Sequence, residues 1–150
     1  MTRVKLQEQR EYEFDYEVTV QVRQINFTGH LDHKAVIEII HDARATLLHS
    51  LGLSEQNLGG GHTGIMMVDL VINYKEEGFS FDQLKVGTHV GEITEKSFRM
   101  FHRITKRGGG AMVALAETGF IIYDYSKRAI SSIPESFLKI LNQKKQNVQG

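Results

Sequence analysis

The residues able to move a proton or hold a water crowd into one stretch, Ile25 to Arg44, which reads INFTGHLDHKAVIEIIHDAR. It carries Asn26, His30, Asp32, His33, Glu38, His41 and Asp42. Imidazoles and carboxylates exchange protons near neutral pH when their surroundings tune them. Glu38 and Asp42 stand four residues apart, so on a helix they share one side, and like charges at that spacing favour a proton on one of the pair. That makes the pair a candidate source of a functional carboxylate, with a solvated or subunit-facing helix edge as the competing explanation. Asp32 has the position of a helix N-cap, where backbone amides hold a carboxylate ionised and poorly basic. It is a candidate substrate contact rather than a base. His30 and His41 are placed to orient a water or a substrate, or else to satisfy a turn or a subunit contact.

Other chemistries are excluded or left thin. There is no Cys for a thiolate nucleophile, a disulfide or a thiolate metal site, and no Gly-x-Ser-x-Gly elbow. Seven histidines are present, but none has the His-Glu-x-x-His spacing of a zinc helix, so neither metal nor cofactor is expected. The run Gly59, Gly60, Gly61, His62, Thr63, Gly64 lacks the Lys-Ser/Thr ending of a phosphate loop and leads into a strand. A loop bordering a pocket suits it better, with Gly61 and His62 as candidate substrate contacts. Lys96 is a candidate contact for phosphate groups and equally an ordinary surface lysine.

Composition sets the outer bounds. The chain has 150 residues, 41% hydrophobic and 24% charged, which fits one domain with a real core. Eighteen Lys and Arg balance eighteen Asp and Glu, so no global basic field recruits nucleic acid or an anionic membrane. Met1 to Arg10 is polar and charged, and no run approaches the roughly 18 apolar residues of a spanning helix. The chain therefore reads as neither secreted nor membrane-anchored. The absence of Cys suits a reducing compartment, and the cytoplasm is the expected one.

These candidates need elements to position them. From Tyr12 to Arg23 apolar and polar residues alternate strictly, with Tyr12, Phe14, Tyr16, Val18, Val20 and Val22 on one face, predicting a half-buried strand. The period then changes: Val36, Ile39, Ile40, Ala43, Leu47, Leu48 and Leu51 form the stripe of a long helix, with Asp32 as N-cap and Gly52 as its stop. Strand patterns return at about Ile65 to Lys75, Leu84 to Thr94, Ser97 to Thr105 and Ala111 to Tyr125, with a glycine-rich hairpin turn at Lys106 to Gly110. Pro134 begins a short closing helix to Leu141, and the polar residues 142–150 are expected to fray. One wide-striped helix needs a broad cover, and a curved antiparallel sheet supplies it.

The segment Ile25 to Arg44 also resembles a known family, the 4-hydroxybenzoyl-CoA thioesterase-like group of the hot-dog thioesterase superfamily. Members share a Gly-His-hydrophobic-Asn-Asn turn, a helix carrying an acidic-Ala-Arg triplet, and Leu-Gly; here Gly29, His30, Leu31, Asp42, Ala43, Arg44, Leu51 and Gly52 fit without a gap. Downstream, Asn73, Tyr74 and Lys75, then Leu84 and Gly87, then Glu95 to Phe98, and Ile133, Pro134 and Glu135 resemble the later strands and closing turn. The likeness spans about Tyr12 to Leu141.

The resemblance implies an α+β hot-dog fold, one long central helix wrapped by a curved antiparallel sheet of about five strands. Residues 1–150 would form a single such domain, with its core at about 12–141. It implies an acyl-CoA thioesterase acting on an acyl-CoA or acyl-carrier-protein thioester, assembled as a homodimer or homotetramer with the acyl pocket at the subunit junction. It makes the backbone amide of His33 the oxyanion donor at the helix start, where unpaired amides and the dipole favour negative charge. Asp42 falls where related branches keep a catalytic carboxylate, which makes it, of the two helix acids, the candidate general base. One departure stands out: the family's usual catalytic Asp, three residues before the glycine, is Asn26, and an amide cannot act as base or nucleophile. The alternative is therefore a non-catalytic module that binds acyl-CoA or acyl carrier protein.

Overall fold

Residues 1–149 are described by the computed structural model. The long helix α1 (His33–Ser50) starts and stops where its end residues dictate. The Asp32 side chain accepts from the Lys34 amide at 2.8 Å, capping one of the first free N–H groups. Gly52 follows the last turn at φ +75°, a conformation open to glycine at little cost.

Around α1 lies one antiparallel sheet. Its strands are β1 (Phe14–Thr19), β2 (Thr63–Tyr74), β3 (Gln83–Gly91), β4 (Ser97–Lys106), β5 (Met112–Asp124) and the two-residue β6 (Ala129–Ile130). They run in the order β1-β3-β4-β5-β2, with β6 added to the end of β5. This is the α+β hot-dog arrangement, a long helix laid against an antiparallel sheet. β1 and β2 are its edges, and β2 is broken by a bulge between Met67 and Asp69.

The buried stripe of α1, Val36, Ile39, Ile40, Ala43, Leu47 and Leu48, meets the inner faces of β3, β4 and β5. The core falls into two clusters. One gathers Leu31, Val36, Ile39, Ile40, Val86, Ile104 and Val113, the other Leu47, Leu48, Leu58, Val90, Phe98, Phe120, Phe137 and Leu141. Between them, Thr88 and His102 stand opposite each other on β3 and β4, with Thr118 one step away on β5. All three polar residues are buried. Arg44 is buried as well: its Nε donates to Glu55, and its guanidinium lies 5.1 Å above the Phe120 ring. The arginine of the acidic-Ala-Arg triplet thus pins the segment after α1 to the helix.

Two expectations change. The strand predicted from Tyr12 to Arg23 is pairing-competent only over Phe14–Thr19. Tyr12 turns to the other face, its ring 4.6 Å beneath the Arg103 guanidinium and its Cβ against Gly87, while Val22–Gln24 tightens into a 3-10 turn with Val22 exposed. The closing helix α2 (Glu135–Gln149) does not end at Leu141. Phe137 and Leu141 are buried in the second cluster, and Lys145 Nζ donates to the Val90 carbonyl at 2.8 Å, so the helix keeps a tertiary anchor beyond the predicted end. Residues 142–149, expected to fray, are helical, and Gly150 lies outside the described residues.

Candidate functional site

A cleft of about 290 Å³ opens where the turn before α1, the first turn of α1, the end of β2 and the loop after it meet. Asn26, His30, Leu31, His33, Val36 and Tyr74 line it, with Lys75, Glu76, Glu77, Gly78 and Val113 completing the wall. The turn is built by Asn26. Its Oδ1 accepts from the Thr28 amide at 3.0 Å, the Thr28 hydroxyl at 2.7 Å and the His30 amide at 3.4 Å. Backbone N–H groups can only donate, so they fix which end of the amide is oxygen. Asn26 Nδ2 has no hydrogen-bond partner among the described residues.

Other groups around the cleft have set roles. His30 Nε2 lies 2.9 Å from Thr28 Oγ1 and 4.0 Å from Glu77 Oε1, and Nδ1 lies 3.5 Å from the Leu31 carbonyl. The His33 amide, first of α1, has no acceptor among the described residues; Asp32 Oδ1 accepts from the next amide and lies 3.2 Å from His33 Nδ1. Tyr74 Oη donates to the His33 carbonyl at 3.4 Å. Loss of solvent, with the Asp32 charge second, raises the Tyr74 hydroxyl above its ordinary range, so it stays a donor.

The cleft therefore brings together Asn26, His30 and His33, with Asp32 beside it. Asp42 and His41 are exposed on α1 outside it; Asp42 faces the Tyr16 side, where its charge helps raise the Tyr16 hydroxyl after burial. His41 Nε2 lies 3.7 Å from Glu55. Gly61, His62 and Lys96 lie at the opposite end of the sheet. The His62 carbonyl accepts from Tyr125 and the Lys96 carbonyl from Ile122, whereas Tyr74 pairs with Ala114. Twelve residues of β2 separate the two ends, roughly 35 Å. Among the described residues, no group of three His, Asp or Glu is placed to hold a metal ion.

Reading the sequence for site residues passes over Tyr74 and Glu77. Both stand where the apolar run of β2 ends and Glu76-Glu77-Gly78 begins. A change from strand pattern to two acids and a glycine is the only signal, and it is shared with any surface loop.

Residues 20–141 match the family model of the thioesterase-like superfamily, most of the chain and all of α1, β2 to β5 and the cleft. This chain belongs to the thioesterase-like superfamily. Solved structures agree on the fold of this superfamily member. It is similar to a 1,4-dihydroxy-2-naphthoyl-CoA thioesterase from Synechocystis at 20% identity and TM-score 0.77, over 86% of this chain and 95% of that one. A Staphylococcus aureus protein solved in complex with CoA is 18% identical at TM-score 0.79, over 96% and 89% of the two chains. A gentisyl-coenzyme A thioesterase is 20% identical at TM-score 0.72, over 84% and 98%. No curated protein sequence matches the superfamily member significantly.

Proposed function

We propose that the protein hydrolyses a small aliphatic or aromatic acyl thioester of CoA or acyl carrier protein to the free acid and thiol. The observation that carries the reading is the orientation of Asn26. With Oδ1 consumed by its own turn, the side chain offers the cleft a donor, and the unpaired His33 amide offers a second at the positive end of α1. Two such donors suit a thioester oxygen that gains charge as the carbonyl is attacked. Leu31, Val36, Val113 and Tyr74 give the acyl group an apolar wall. Membership of the thioesterase-like superfamily and the CoA seen on a structural relative support the same chemistry.

A second copy of the chain would bring Gly61 and His62 to the cleft. If β2 pairs antiparallel with a second copy's β2, the second copy's Thr63 end would lie beside Tyr74, and with it that copy's Gly61 and His62 near the cleft. The β2 edge is suited to this, with Met66, Met67 and Val68 exposed at 38%, 42% and 59%. In its own chain Asp42 lies nine residues beyond His33, about 14 Å along the helix, so it would serve a cleft only across such a boundary.

The test is thiol release from a panel of short aliphatic, medium-chain and benzoyl CoA thioesters. Turnover of at least one supports hydrolysis. Tight binding of the panel without turnover favours the second reading, a non-catalytic acyl-thioester binding module, which rests on the amide at position 26.

A further inference from the structure

We propose that Glu77 activates the attacking water, with His30 holding that water from the other side; this rests on the hydrolytic reading above. Asn26 cannot accept the proton, so a base must come from another group that shares the cleft. Glu77 Oε1 stands 4.0 Å from His30 Nε2. That span is too long for a direct hydrogen bond and leaves room for one water that accepts from Nε2–H, shared with Thr28 Oγ1, and donates to Glu77.

Both partners are held in place by backbone. The loop carrying Glu77 is fastened to the turn carrying His30, because the Leu31 amide donates to the Gly78 carbonyl at 2.7 Å. The approach is so close that a Cβ on Gly78 would stand 3.2 Å from Leu31 Cβ. On the other side of Glu77, the Lys75 amide donates to the Val113 carbonyl at 2.8 Å. His30 is surrounded by acceptors, the Thr28 hydroxyl, the Leu31 carbonyl and the Glu77 carboxylate. Because the one hydroxyl hydrogen of Thr28 goes to Asn26 Oδ1, the Thr28 oxygen accepts from His30 Nε2–H, which orients the ring and links it to Asn26.

In the reaction, the water oxygen bonds to the thioester carbonyl carbon as its proton passes to Glu77. The carbonyl electron pair moves onto oxygen, between Asn26 Nδ2 and the His33 amide. When the C=O bond reforms, the C–S bond breaks, the electron pair leaves on sulfur, and the proton on Glu77 neutralises the thiolate. One thioester and one water give one acid and one thiol, and Glu77 ends as it began.

The experiment compares Glu77→Gln with the wild type on the CoA thioester panel. Loss of the base lowers kcat by about 10²-fold or more, with KM and the thermal melt little changed. Hydroxylamine, which attacks without a base, restores enzyme-dependent thioester cleavage in Glu77→Gln, a rescue that a merely structural role would not produce. Glu77→Asp keeps part of the turnover. If the wild type turns over and Glu77→Gln matches it, or loses activity that hydroxylamine does not restore, the assignment of Glu77 is wrong while hydrolysis stands. If the wild type cleaves no thioester of the panel, the hydrolytic reading fails and Glu77 with it.

Discussion

Thr88 Oγ1 and His102 Nδ1 lie 2.9 Å apart in the middle of the core, each side chain closed off from solvent. Burial, with the Arg44 charge adding to it, pushes the His102 imidazole down from 6.5 to about 3. The ring is neutral in the fold. The unfolded chain takes up a proton as pH falls through about 6.5, and the folded chain not until about 3. Stability is therefore lost progressively as pH falls between those values, by up to roughly 4 to 5 kcal/mol over the whole span, and this group adds no slope above pH 6.5. Urea unfolding at pH 7 and pH 4 should show a smaller drop in His102→Leu than in the wild type. Equal drops would mean that His102 does not carry the acid sensitivity.

Leu47 is buried where α1 meets the sheet. Leu47→Ala should cost about 2–5 kcal/mol, the transfer of the lost atoms plus the cavity left behind. A thermal melt that does not move would contradict the packing of α1 described above.

The β2 edge should hold two copies together. Light scattering at micromolar concentration is expected to give at least twice the 17.0 kDa chain mass, and Val68→Lys, placing a charge at the exposed bulge, should lower it. A monomeric wild type would remove the two-chain site proposed from this edge.

Asn26→Asp keeps the acceptor that builds the turn and exchanges the free donor for a negative oxygen. Turnover should fall by about 10²-fold, the usual effect of losing one oxyanion donor, with the melt unchanged. A rise in turnover would instead make position 26 the reactive one. If Asp42→Asn lost turnover while Glu77→Gln kept it, the base would be the helix carboxylate contributed across a subunit boundary.

The fold was legible where local chemistry and tertiary packing agree. The stripe from Val36 to Leu48 sets α1, Asp32 caps it, and Gly52 ends it because only a residue without Cβ turns there at no cost. The alternation around Phe14 finds β1 but overruns it, since period two cannot tell that Tyr12 crosses to Arg103 or that Val22 starts a turn. The far half of α2 has a polar sequence, and its anchor is Lys145 on Val90, a contact 55 residues distant. The candidate site was legible in its first half, Asn26 to His33, because one turn and one helix start form it. Glu77 was not, because a contact between residues 30 and 77 exists only once the Leu31 amide has met the Gly78 carbonyl.

The polar row through the core predicts a kinetic counterpart. Leu31, Val36 and Val113 belong to the half beneath the cleft, Phe137 and Leu141 to the half that seats α2, and the seam between them holds Thr88, His102 and Thr118. Polar side chains interrupt the apolar contact at this seam, so the expectation is that the two halves differ in how readily they open. Amide exchange should then sort into two protection classes on either side of His102. A ligand seated at Asn26 would slow exchange in Val36 and Val113 far more than in Phe137, leaving the α2 half to breathe at its unliganded rate.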